Sequence, residues 1–124
     1  MPIVDVQLVS EGAPARPSLA QELADRVGLV LKAKPGQVWV RVATLPSENY
    51  AENQSKIGVH ELPVFVTLLH ANLPDEKNRA EEARNVSAVV AEVVGCLQTQ
   101  VHVEYAPPGR GRMAFGGTLV NSQR

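Results

Sequence analysis

Cysteine is nearly missing from this 124-residue chain: Cys96 stands alone. One thiol excludes an internal disulfide framework and suits a reducing cytosol. It lies in an apolar stretch, where a packing role is the expectation. No sign of charge dominates either, since 12 Lys and Arg face 13 Asp and Glu for a net charge of −1. General attraction to nucleic acid or to a membrane surface is therefore not expected. Apolar runs stay well short of the roughly 18 residues that a membrane span needs. The N-terminus lacks the charged start and apolar stretch of a signal peptide. The three His show no metal-ligand spacing, so no metal is expected. These absences describe a cytoplasmic domain without nucleic-acid, membrane or metal partners. A chain of 124 residues buries a core without staples.

What is present is a unit written twice. Residues 2–9 (PIVDVQLV) are rich in β-branched side chains and read as a strand. Pro17 stands at a helix-opening position, and Leu19, Leu23, Val27 and Val30 recur at helical spacing through about Ala33. Pro35-Gly36 breaks that helix. Residues 38–45 (VWVRVATL) alternate Val38, Val40 and Val42 with Trp39, Arg41 and Ala43. The second copy starts at residues 63–70 (PVFVTLLH), again with proline. Asp75 is a plausible N-cap for a helix with Ala83, Val86, Val90, Val93 and Leu97 as its stripe. Residues 101–105 (VHVEY) close it as a strand. Pro2 and Pro63 stand 61 residues apart, and Val38 and Val101 stand 63 apart. That is a tandem β-α-β duplication.

Right-handed crossovers then give a four-stranded mixed α/β (α+β) sheet with both helices on one face. One domain spans 1–124: a first unit 1–46, a connecting loop 47–62, a second unit 63–109 and a tail 110–124. The strand at 63–70 is apolar on both sides, with Val64, Val66 and Leu68 against Phe65 and Leu69. Its outer face needs a cover, most simply another copy of the chain. The tail is expected to reach over a neighbouring subunit's edge strand.

A proline directly after Met1, opening a strand in a duplicated chain of this size, resembles the tautomerase superfamily. The run VHVEYAPPGRGRMAFGGTLV (101–120), with Gly116 and Gly117 near its end, is similar to a segment of 4-oxalocrotonate tautomerase. KPGQV (34–38) and LLH (68–70) resemble macrophage migration inhibitory factor. The resemblance implies a homotrimer and a cofactor-independent isomerase of small carboxylate substrates. It also places the active site between subunits, around the N-terminal proline.

Its chemistry gives Pro2 a reason. An α-amino group has a pKa of roughly 8, and an apolar pocket lowers it further. A base near neutrality suits removal of a proton alpha to a carbonyl. The condition is that Met1 is removed. By the resemblance Lys34 falls on a pocket lysine, or else faces the C-terminal dipole of its helix. Arg41 either holds a carboxylate bidentately or pairs with a neighbour on the sheet. His102 and Glu104 match positions lining the pocket of an adjacent subunit, on the face away from the helices. Asn72 matches a pocket edge, Met113 and Phe115 match apolar pocket walls, and Arg110 or Arg112 could reach a substrate carboxylate. A carboxylate such as Glu104 beside Pro2 would favour a cationic proline, opening hydratase, dehalogenase or decarboxylase chemistry. The paired arginines of such relatives have no counterpart in HANLPDEKN (70–78). A non-enzymatic protein-binding role is the third alternative.

Overall fold

The computed structural model describes residues 2–121. In chain order these form strand β1 (Ile3–Ser10), helix α1 (Leu19–Val30), strands β2 (Trp39–Pro46) and β3 (Val64–Leu69), helix α2 (Glu76–Val94) and strand β4 (Val101–Tyr105). A short hairpin follows, β5 (Ala114–Phe115) and β6 (Thr118–Leu119). The sheet order is β2-β1-β3-β4. The two outer pairings are parallel and the central β1–β3 pairing is antiparallel. A parallel pair needs a crossover, and each helix supplies one.

Alternation decides which face the helices cover. Val4 and Val6 of β1, and Val64, Val66 and Leu68 of β3, are buried against Leu19, Leu23 and Val27 of α1 and Val86, Val90 and Ala91 of α2. One core thus serves both units, which makes the duplication a single α+β fold. Arg26 of α1 pairs with Glu92 of α2 across the helix–helix seam. Near the seam's end, Arg16 holds Glu22 and also donates to the Val93 carbonyl at 3.0 Å.

Both helices stop earlier than their apolar spacing implies. α1 ends at Val30 rather than Ala33, because Lys32 adopts the left-handed conformation (φ 55°) that terminates helices. α2 opens as expected on Asp75, whose carboxylate accepts from the Asn78 amide at 2.8 Å. It closes at Gly95 (φ 87°), so Leu97 lies outside the helix and is exposed instead of extending the stripe. In the tail, Gly116 and Gly117 both have positive φ (58° and 87°) and form the two-residue turn between β5 and β6. The hairpin packs on its own chain, where Phe115 meets Trp39 of β2 edge-on at 5.0 Å between ring centroids.

Candidate active site

Pro2 lies at the start of β1, at one end of the sheet. Its carbonyl accepts the Trp39 amide at 3.2 Å, and the residue is buried. The β1 register pairs Ile3 with Trp39 on one side and Leu69 on the other. One residue further, Pro2 falls between Val38 and His70. The same end of the sheet holds a cavity of about 570 Å³ lined by Gln37, His70, Ala71, Asn72, Phe115 and residues 118–121. Backbone bonds build its wall: Gly109 donates to the His70 carbonyl at 2.8 Å and Arg110 to that of Ala71 at 3.1 Å. Met113 lies so close over Gly109 that a Cβ there would stand 2.7 Å from its sulfur.

His70 is tied from behind. Its Nε2 is 2.9 Å from Glu82 Oε2, and both side chains are largely buried. The Tyr105 hydroxyl donates to the same carboxylate oxygen at 2.7 Å, and the Tyr105 ring stacks on the imidazole at 6.1 Å. Burial, and then the Glu82 carboxylate, push the Tyr105 phenol well above its ordinary value, which keeps it a donor.

The other sequence candidates are spread across the molecule. Asn72 and Phe115 line the Pro2-end cavity. Met113 packs over Gly109 and is not among the residues lining that cavity, and Arg112 is exposed on the turn just before Met113. Lys34 is exposed on the α1–β2 turn and lines a different hollow of about 590 Å³ with Gln21, Asp25 and Val38. Gln37 of that same turn, which donates to the Lys34 carbonyl, reaches the Pro2-end cavity.

Arg41 and Glu104 belong to the open face of the sheet. The registers align Arg41, Asp5, Thr67 and Glu104 in one row across all four strands. Arg41 forks onto Asp5, Nε to Oδ1 at 2.6 Å and Nη2 to Oδ2 at 2.9 Å, which raises the guanidinium pKa further. Glu104 and Arg41 flank a shallow depression of about 730 Å³ that Tyr50 and Phe65 also line. His102, in the next row, tilts against Phe65 at 5.6 Å. Glu104 is three residues along and two strands across from Pro2 within the chain, roughly 10 Å in each direction. The cysteine is a packing residue: burial pushes the Cys96 thiol up, away from reactivity.

Comparison with solved structures fixes the architecture. The chain is similar to Pt0534 inactivated by 2-oxo-3-pentynoate, with TM-score 0.76, 18% identity and coverage of 98% of this chain and 97% of that one. It is similar over 95% of both chains to a native fused 4-OT, with TM-score 0.72 and 19% identity. Macrophage migration inhibitory factor from Oncomelania hupensis matches with TM-score 0.73 and 15% identity over 99% of this chain and 84% of that chain. This is the tautomerase-superfamily fold. No protein-family model matches the chain, and no curated protein is similar to it in sequence.

Within the tautomerase fold, Pro2 precedes a central strand, and the tail packs at that end of the sheet through Phe115 on Trp39 and Gly109 on His70. Sequence reasoning did not single out Glu82, Tyr105 or the side chain of His70. A signal existed: a His directly follows β3, and the α2 crossover carries an acid of its second turn back over that strand end. No helix among the described residues is long and apolar enough to cross a membrane.

Proposed function

We propose that the chain is a tautomerase-superfamily enzyme, a cofactor-independent isomerase that interconverts the keto and enol forms of a small alpha-keto acid. The Pro2 amine, exposed when Met1 is removed, is the general base. The observation that carries this reading is a buried, strand-initial Pro2 whose register neighbour His70 lines a cavity of about 570 Å³. Burial disfavours the ammonium, and the ring fixes the direction of the nitrogen, so little freedom is lost in aiming it. Met113 and Phe115 keep the pocket apolar. Arg112 of the tail and Lys34 of the turn that carries Gln37 are the cations proposed for a substrate carboxylate, both from outside the lining of the cavity.

The same reading makes the protein a homotrimer. The open sheet face leaves Phe65 and Leu69 only half-covered, and a similar solved structure is named a symmetric trimer of fused 4-OT. In such an assembly Arg41, His102 and Glu104 would serve a neighbour's pocket rather than their own.

The test uses protein whose Pro2 terminus is verified by mass, assayed for ketonisation of phenylenolpyruvate. Pro2→Ala, which still loses Met1, should fall at least about 100-fold. The compound 2-oxo-3-pentynoate, which inactivates Pt0534, should add its mass to the Pro2 peptide. Full activity in Pro2→Ala sinks the proline mechanism. No activity in verified wild-type protein favours a binding role instead.

A further inference from the structure

Among the described residues lining the Pro2-end cavity, His70 is the one ionisable side chain; the rest are amides, a hydroxyl and apolar groups. A base at Pro2 accounts for half of a keto–enol transfer. The carbonyl oxygen must also receive a proton as the carbon loses one, and a neutral amide cannot give it. His70 is built for that task. It sits opposite Pro2 by register, on the C-terminal end of the adjacent strand. Its Nε2 is engaged by Glu82, which leaves Nδ1 as the nitrogen to meet a ligand.

We infer that His70 is the second catalytic residue, the acid that protonates the substrate's carbonyl oxygen, with Glu82 as its positioning residue. The inference rests on the reading of Pro2 as base. In enolisation the Pro2 nitrogen takes the proton from the alpha carbon, the C–H pair becomes the C=C bond, and the carbonyl π pair moves to oxygen. That oxygen takes the proton from His70 Nδ1, leaving neutral imidazole and a prolinium ion. Solvent exchange resets both groups, and the reverse sequence ketonises the enol. The groups packed around the imidazole support this. Glu82, 2.9 Å from Nε2, fixes the orientation of the ring, as the orienting carboxylate does in a hydrolase triad. The Tyr105 hydroxyl occupies the same carboxylate oxygen while donating also toward the Arg79 carbonyl at 3.3 Å, which fixes the Glu82 rotamer. The Arg79 guanidinium, which bears on Tyr105, is itself held by the Pro74 carbonyl at 2.8 Å.

The experiment compares wild type, His70→Ala, His70→Gln, Glu82→Gln and Pro2→Ala on phenylenolpyruvate, each verified by mass to have lost Met1. His70→Ala should lose about 100-fold in kcat with little change in KM. Millimolar imidazole should restore part of that loss, and should do nothing for wild type or Pro2→Ala. His70→Gln keeps a hydrogen-bonding side chain but no transferable proton, and should stay slow. Glu82→Gln should lower kcat with KM held. Circular dichroism checks the fold of every variant, and Pro2 labelling checks the pocket of the His70 and Glu82 variants. Wild-type kcat in His70→Gln, or a loss in folded His70→Ala that imidazole does not touch, overturns the role of His70. Should Pro2→Ala collapse while His70→Gln stays active, the proline reading stands and this inference fails. Full activity in Pro2→Ala removes both.

Discussion

Replacing Trp39 with Leu tests whether the tail hairpin is held on its own chain, and the structure sets the size of the effect. Two contacts involve the indole. Its Nε1–H donates to the Gly36 carbonyl at 2.9 Å, a bond local to the α1–β2 turn that does not touch the tail. Its ring meets Phe115 at 5.0 Å and 84°, an edge-to-face pair joining β2 to β5. Only the second bears on the hairpin. Leu keeps apolar contact with Phe115 but loses the ring–ring term, about 0.5–1.5 kcal/mol, which is roughly a two- to thirteenfold rise in the open population. The reporter is the Val120 amide, which donates to the Met113 carbonyl at 2.8 Å and exchanges with solvent only when the hairpin opens. Its hydrogen exchange should accelerate by that factor in Trp39→Leu and again in Phe115→Leu. The double variant should be no worse than either single one, because both delete the same pair. Unchanged Val120 exchange, or strict additivity, refutes the intrachain contact and means that the hairpin packs elsewhere in the assembly.

Two further outcomes bear on stability and assembly. The Arg16 guanidinium, and then the Ser18 hydroxyl, hold the Glu22 carboxyl down at about 2 from its usual 4.5. A depressed carboxylate stabilises the fold fully above the unfolded value, and that contribution fades as pH falls from about 4.5 through about 2. Urea midpoints measured down this range should therefore fall more steeply in wild type than in Glu22→Gln; identical slopes refute the pairing. Thr67 sits mid-row on the open sheet face between Asp5 and Glu104. A trimer closed on that face should dissociate in Thr67→Arg, giving the monomer mass by sedimentation, whereas an unchanged mass places the interface elsewhere.

The architecture was legible because its signals are local. β-Branched alternation located the four strands within a residue or two, and the proline-led repeat showed that the same unit occurs twice. Helix ends were less legible. Leu97 continues the apolar spacing of α2, but Gly95 in the left-handed region turns the chain before it. Similarly, Lys32 ends α1 by adopting a conformation that side chains disfavour, a tertiary choice with no composition mark. At the site, alternation placed Arg41 and Glu104 on the outer face, yet their partners depend on register. Strand order and a residue-exact pairing are needed before Arg41 meets Asp5 on the adjacent strand. The His70–Glu82–Tyr105 cluster draws on three elements and emerges only when α2 folds back over β3. Gly116-Gly117 was readable as a two-residue hairpin turn, since consecutive positive φ angles favour glycine there.

The antiparallel pairing of β1 with β3 has a consequence for stoichiometry. It sets the beginnings of the two repeats at opposite ends of the sheet, so the duplication carries two homologous corners. The Trp39 amide meets the Pro2 carbonyl at one, and the Val9 amide meets the Pro63 carbonyl at the other, both at 3.2 Å. The second corner has its own small hollow of about 290 Å³, lined by Pro63, His60 and His102. Yet Pro63 is bonded on both sides, and its nitrogen is an amide with no basic lone pair. Duplicating the scaffold thus doubled the pockets but not the amines. On the proposed mechanism each chain would carry one reactive corner and one inert copy, and a trimer three of each. The inert corner is free to change its lining without cost to the chemistry at Pro2.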